Sequence, residues 1–235
     1  MIYIVSDIHG NEERFDSIME QINLQPEDTL YILGDVVDRY DGGIRILKKI
    51  MKMSNVKMLI GNHEYMMLNA IGHCKDAADE VINTNYRERN NWYRNGGRIT
   101  HQFLKRQRKN VRAEIFEYIR SLPINIDIEV NGIKYKLVHA SPVENFYLSY
   151  MNARYYMNET EFAVWERWSP YQDHVPEGYI MIFGHTPTSH FQLGAPRIWH
   201  GENAIGIDCG CGYEDGRLAC LRLDDLKEFY SKEGL

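Results

Sequence analysis

The chain has 235 residues, enough for one sizeable α/β domain with a well-buried core. Its 44% hydrophobic and 26% charged residues, with only 7 prolines, exclude a disordered or fibrous chain. A formal charge of -6 offers no general basic face to duplex nucleic acid or anionic lipid, and no apolar run approaches the ~20 residues that span a bilayer, so a cytoplasmic protein without either partner is expected.

The first apolar run, 2–6, reads as a buried strand, and an amphipathic stretch of helical period follows over 11–22. The alternation repeats with strand 29–33 and helix 43–53, then strand 56–60 and helix 64–72, which implies βαβ units whose strands are covered on both faces. Helical stretches recur near 85–95, 110–121 and 158–168. Asn131-Gly132 separates INIDIEV from IKYKLVH; both residues tolerate positive φ, so strands 125–130 and 133–139 are predicted to pair as a hairpin. Strands at 179–183, 204–208 and 217–223 follow, and the later strands are assigned to a second, mixed sheet. No repeat, low-complexity tract or Pro/Gly/Ser-rich linker divides the chain, so one domain over 1–235 is expected.

Two features along the chain have competing explanations. The segment 146–171 carries Phe146, Tyr147, Tyr150, Tyr155, Tyr156, Phe162, Trp165, Trp168 and Tyr171. Such aromatics pack a lid or small subdomain more often than they touch a ligand; the sharper alternative is a wall that selects substrate through aromatic faces. Cys74, Cys209, Cys211 and Cys220 lack zinc-site spacing and read as reduced core residues, with a redox or metal role for Cys209 and Cys211 as the alternative.

In open α/β sheets ligands bind beyond the carboxyl ends of the strands. Here five strand runs end in metal-ligating residue types: Asp7 and His9, then Asp35 and Asp38 in GDVVDR, then Asn62 and His63 in GNHE, then His139, then His185 in GHTP. Each fragment alone is explained by a turn, a helix cap or a structural histidine, but that explanation does not predict the same placement five times. A carboxylate can bridge two cations, and mixed oxygen and imidazole donors suit Mn, Fe or Zn better than an all-oxygen calcium cage. Asp35 is assigned the bridge, with Asp7 and His9 completing one ion site and Asn62, His139 and His185 the other.

The ordered blocks D-x-H, G-D-x-x-D-R, G-N-H-E, H and G-H-T resemble those of the calcineurin-like metallophosphoesterases, and the likeness extends over nearly the whole chain. GDVVDR, GNHEYMM, NWYRNGG at 91–97 and VWERW at 164–168 are most similar to the small bacterial and phage serine/threonine protein phosphatases. The resemblance implies an α/β fold of four layers, an αββα sandwich of two mixed β-sheets flanked by helices, around two divalent metal ions, usually manganese. It further implies that Arg39 and Arg167 bind the phosphoryl group. Tyr40, where many relatives have Gly, and Ala140-Ser141, where others carry Gly-Gly or Ala-Asp, depart from the pattern without removing a ligand.

On this reading a metal-activated hydroxide attacks phosphorus, Arg39 and Arg167 hold the phosphoryl oxygens with Asn62 beside them, and His63 protonates the leaving alkoxide under the control of Asp38. Read alone, Asp38 is a loop salt bridge, Arg167 a solvated helix charge and Glu64 the first-turn acid of a helix. The leading function is a phosphomonoesterase acting on phosphoserine and phosphothreonine in proteins. The rival on the same centre is hydrolysis of diadenosine tetraphosphate or 2′,3′-cyclic nucleotides. Tetraphosphate hydrolases resembling this family often have Asn where Asp38 stands, which leans toward the protein phosphatase. A silent scaffold is disfavoured because the ligand set is complete.

Overall fold

Short β-branched runs alternating with amphipathic stretches build two packed sheets in the computed structural model, which describes residues 1–76, 78–148 and 151–232. In the first sheet β1 (Ile2–Val5), β2 (Thr29–Ile32) and β3 (Val56–Met58) run parallel, and antiparallel β9 (Ala219–Arg222) and β10 (Lys227–Tyr230) extend it beyond β1. The second sheet orders β4 (Asn125–Val130), β5 (Ile133–Val138), β6 (Tyr179–Phe183), β8 (Ala204–Gly206) and β7 (Trp199–His200), with β5, β6 and β8 parallel. Helices α1 (Glu12–Ile22), α2 (Gly43–Ile50) and α3 (Asn62–Ile71) follow the first three strands. A helical insertion comes next: α4 (Asp79–Asn83), α5 (Tyr86–Arg94), α6 (Gly97–Lys105) and α7 (Lys109–Ser121). Between β5 and β6 lie α8 (Glu144–Leu148), α9 (Asn152–Tyr155) and α10 (Glu159–Trp165).

The period of two along each strand sorts the layers. Tyr3, Val5, Leu30 and Ile32 face the helices, where Phe15, Ile18, Ile44 and Leu47 meet them. Ile4, Tyr31 and Leu33 face the other way, against Leu137, Ile182 and Ile205 of the second sheet. Both faces are covered, which is why these strands are apolar throughout rather than alternating. On the far side of the second sheet, Val138, Met181 and Phe183 lie in one cluster with Trp168, and Val175, Phe191 and Trp199 pack against it. The architecture is the expected pair of mixed sheets with flanking helices. Among the described residues no helix is long and apolar enough to cross a membrane.

The hairpin forms as its turn chemistry dictates: Asn131 and Gly132 have φ of 52° and 77°, and Val130 pairs with Ile133. Other boundaries differ from the sequence pattern. The third strand runs only to Met58, although Leu59 still donates to Ile32 O of β2; Ile60, whose N–H points to the open edge, donates to Pro123 O in the loop before β4. The predicted 158–168 helix stops at Trp165, where Glu166 turns extended at ψ 120° and takes Arg167 off the helix. In the aromatic segment Phe162 and Trp168 are buried, and Phe146 and Tyr156 contact the Phe162 ring at 5.6 and 5.3 Å. Phe146, Tyr156 and Phe162 thus pack on one another, Trp168 packs on Phe183 of the second sheet, and Tyr147, Tyr155 and Tyr171 stay exposed. Tyr150 lies outside the described residues.

Candidate metal centre

The loops leaving β1, β2, β3, β5 and β6 converge where the two sheets meet. Asp7, His9, Asp35, Asp38, Arg39 and His185 all hold positive φ, between 51° and 74°, a region that costs energy for residues other than glycine. They make up six of the nine such non-glycine residues among those described, so the strained backbone is concentrated in the loops at the strand ends.

Asp35 stands between two donor groups. Its Oδ1 lies 3.5 Å from His139 Nε2, and His139 Nε2 and His185 Nδ1 are each 3.0 Å from Asn62 Oδ1. Its Oδ2 lies 3.8 Å from both His9 Nε2 and His63 Nε2, and His9 Nε2 is in turn 3.8 Å from Asp7 Oδ1. The other oxygen of Asp7 accepts from the Ser6 hydroxyl at 2.5 Å and from the His185 N–H at 2.9 Å, leaving Oδ1 toward His9. Donor atoms of His9, Asp35 and His63, and separately of Asp35, His139 and His185, fall within 4.8 Å of one another.

Charge explains what these groups lack. Burial pushes Asp35 well above the usual carboxylate range; His63 offsets part of that, while Asp7 and Glu64 add to it. Burial pushes His9 well below its ordinary value, helped by His63 and Arg39, and does the same to His185, helped by His139 and Arg167. Crowded carboxylates beside imidazoles held neutral form a donor set short of positive charge, which a divalent cation would supply. The mixture of oxygen and neutral imidazole nitrogen fits first-row metals, and the 3.8 Å separations are too long for hydrogen bonds.

A family model described as calcineurin-like phosphoesterase matches residues 1–225. The chain belongs to this family. A symmetrical bis(5'-nucleosyl)-tetraphosphatase of Proteus mirabilis is 24% identical, with 97% of this chain and 96% of that protein covered. The solved structure of a candidate diadenosine tetraphosphatase superposes with a TM-score of 0.61 at 16% identity, covering 99% of this chain and 94% of the other. A cold-active protein-tyrosine phosphatase of a Shewanella species does so with a TM-score of 0.57 at 15% identity, covering 98% and 80%. Calcineurin-like phosphoesterases use a dinuclear metal centre, and the two donor groups on Asp35 are where this member could hold it.

Around the calcineurin-like centre the remaining predicted residues also assemble. Asp38 Oδ2 accepts from His63 Nδ1 at 2.7 Å and from the Trp92 indole at 2.8 Å, and its backbone N–H donates to Thr100. Asp38 is fully buried, so the loop-surface salt bridge is not what forms. Arg167 reaches His185 O with Nη1 at 3.2 Å, and Trp165 sets its ring edge to face with His185 at 6.1 Å. Arg39 is half-buried, with its guanidinium carbon 4.6 Å from the Tyr213 ring centroid.

Two acids do more than the sequence reading gave them. Glu64 starts α3 as expected, but its carboxylate also accepts the N–H groups of Asp35, Val36, Val37 and Gly61 at 2.9 to 3.2 Å, tying the second loop to the third. Asp208, at the end of the β8 run, was missed. It is buried, its Oδ1 accepts from Gly210 N–H at 2.8 Å, and burial followed by the charge of Asp7 pushes it well above the carboxylate range. The strand-end rule that found the other loops applies equally to AIGID and could have found it.

Close approach of these loops leaves no room at Gly61, where a Cβ would lie 2.2 Å from Asp35 Oδ1 and 2.4 Å from Asp35 N. Gly61→Ala is expected to destabilise the fold by about 2 kcal/mol or more, because both neighbours are fixed backbone or ligand atoms; thermal unfolding measures it. The cysteines behave as core residues. All four are buried and free, and burial pushes Cys209 and Cys211 up to about 12. With about one thiolate in 10⁴ at pH 8, Cys209 and Cys211 are expected to resist iodoacetamide in native protein and to label only in denaturant; their rapid native labelling would revive a redox role.

Proposed function

We propose that this phosphoesterase hydrolyses dinucleoside tetraphosphates, splitting the central anhydride to yield two nucleoside diphosphates. The observation that carries a two-ion reaction is the Asp35 carboxylate, whose two oxygens face separate donor groups. The substrate class is supported by curated relatives, aligned over 97% of this chain, that are named symmetrical tetraphosphatases; this favours the nucleotide alternative over the phosphoprotein substrate expected from sequence.

Asp7, His9 and Asp35 would hold one divalent ion and Asp35, Asn62, His139 and His185 the other, manganese first among the candidates. When bound, such a pair lowers the pKa of water and draws charge from phosphoryl oxygens. The protein's own groups do the rest. Arg39 and Arg167 orient the phosphoryl oxygens with planar guanidinium forks, and Asn62 sits between His139 and His185 where the substrate approaches. His63 carries a proton on Nδ1 held by Asp38 and presents Nε2 to the reacting space.

One observation favours the phosphoserine and phosphothreonine reading. The His63–Asp38 pair is buried and short, an acid suited to an alkoxide, a poorer leaving group than a nucleoside diphosphate. Initial rates on diadenosine tetraphosphate, a phosphopeptide and a 2′,3′-cyclic nucleotide, each with Mn, Fe, Zn or Mg, decide between them. The expected result is the highest kcat/KM on the tetraphosphate, with ADP as the sole nucleotide product. ATP plus AMP, or a preference for the phosphopeptide, overturns the proposal.

A further inference from the structure

Arg39 sits on a loop at φ 69°, and a long arginine side chain must lose its rotamer freedom before it can act as a fixed fork. The loop that follows Asp208 constrains it. The Tyr213 ring centroid lies 4.6 Å from its guanidinium carbon. A Cβ on Gly212 would stand 2.5 Å from Arg39 Nη1 and 2.6 Å from His9 Cδ2, so bare backbone presses on the guanidinium there. Arg39 thus lies against both Gly212 and Tyr213, next to His9.

This loop is in turn held from outside itself. Arg14 donates from Nη1 to Cys211 O at 2.8 Å and to Tyr213 O at 2.9 Å, and from Nη2 to Glu214 O at 3.0 Å. Arg14 is 4% exposed and belongs to α1, one turn beyond the D-x-H block. An arginine on the buried face of a helix is costly unless its donors are met, and here carbonyls of one loop, nearly 200 residues later in the chain, meet them. No feature of the tetraphosphatase reading uses that loop.

We infer that Arg14 is a positioning residue: it fixes residues 211–214 so that Tyr213 and Gly212 hold the Arg39 fork in the orientation that receives a phosphoryl group. The inference rests on the phosphoryl-binding role given to Arg39 above, and not on the identity of the nucleotide. Removing either Arg14 or Tyr213 therefore acts through Arg39.

The test uses the full chain in Arg14→Met, Arg14→Lys, Tyr213→Ala and Tyr213→Phe forms, each also combined with Arg39→Ala. Competitive inhibition by inorganic phosphate is measured against p-nitrophenyl phosphate with manganese. Arg14→Met and Tyr213→Ala are expected to weaken phosphate binding about tenfold, and Tyr213→Phe, which keeps the ring face, to restore it. In the Arg39→Ala background neither substitution costs anything further. A second readout needs no turnover: the Arg39 Nε–H resonance, assigned by its loss in Arg39→Ala, carries a ring-current shift that Arg14→Met and Tyr213→Ala abolish and Tyr213→Phe retains. Additive losses on top of Arg39→Ala, or an Arg39 resonance unmoved in Arg14→Met, overturn the inference. Should Arg14→Met not fold, Arg14→Lys and the Tyr213 pair decide by the same two readouts. Diadenosine tetraphosphate left untouched, with phosphate binding still dependent on Arg14, would reject the proposed substrate while sustaining this relay.

Discussion

Replacing His63 with asparagine is expected to slow hydrolysis of an alkyl phosphate by about 10² to 10⁴-fold, with a much smaller loss on p-nitrophenyl phosphate and an unchanged metal content. The difference follows from where the histidine is held. Its Nδ1 lies 2.7 Å from Asp38 Oδ2, while Nε2 is 3.8 Å from Asp35 Oδ2, on the side of the candidate metal centre. Burial alone would push the imidazole down, but the charge of Asp35 and the hydrogen bond and charge of Asp38 outweigh it, and His63 ends above its ordinary value. A protonated imidazole helps an alkoxide depart and does little for nitrophenolate, which is stable as an anion. Equal slowing on the two esters would remove His63 from the role of acid. A drop in bound metal would instead make it a ligand, since its Nε2 belongs to the same donor group as His9 and Asp35.

For Asp35→Asn the expected outcome is loss of both ions together and a fall in turnover of about 10³-fold or more, read by metal analysis and initial rates. Stability should move the other way once metal is chelated. The carboxyl of Asp35 is held well above its usual range in the folded protein, so folding disfavours its charged form. That penalty is absent in acid, where the carboxyl is protonated in both states, and grows as pH rises through the unfolded value of about 3.9. In chelator at neutral pH the asparagine variant should therefore melt higher than the parent, and the gap should close toward pH 4. With saturating metal the order reverses, because ions that bind only the folded parent stabilise it. A variant that melts lower under chelation would show that the buried carboxylate is not the strained element it is taken to be.

The sequence carried the centre further than it carried the fold around it. Asp7, His9, Asp35, Asn62, His139 and His185 were readable because each stands just past a short apolar run, where only a ligand or a turn tolerates such residues. The hairpin at Asn131-Gly132 was readable from two residues. Elements whose cause lies elsewhere in the chain were not. β10 mixes Lys227 and Glu228 with two aromatics, and its turn uses Leu226 at φ 58° in place of glycine, so neither strand nor turn announces itself. α6 begins directly after Gly96, which reads as a break. The four backbone contacts of Glu64 depend on a loop up to 29 residues away, and nothing local distinguishes that glutamate from an ordinary first-turn acid. Trp92 stood in the quoted NWYRNGG stretch without a task until its indole was found on Asp38.

Asn62 and Asp35 come from the first sheet, His139 and His185 from the second, and the close contacts among them cross the seam between the two. The geometry of the candidate metal centre is therefore a measure of how one sheet is docked on the other, not of whether either is intact. Gentle heating that lets the layers slip should silence the protein while its strands and helices still give their full far-ultraviolet signal.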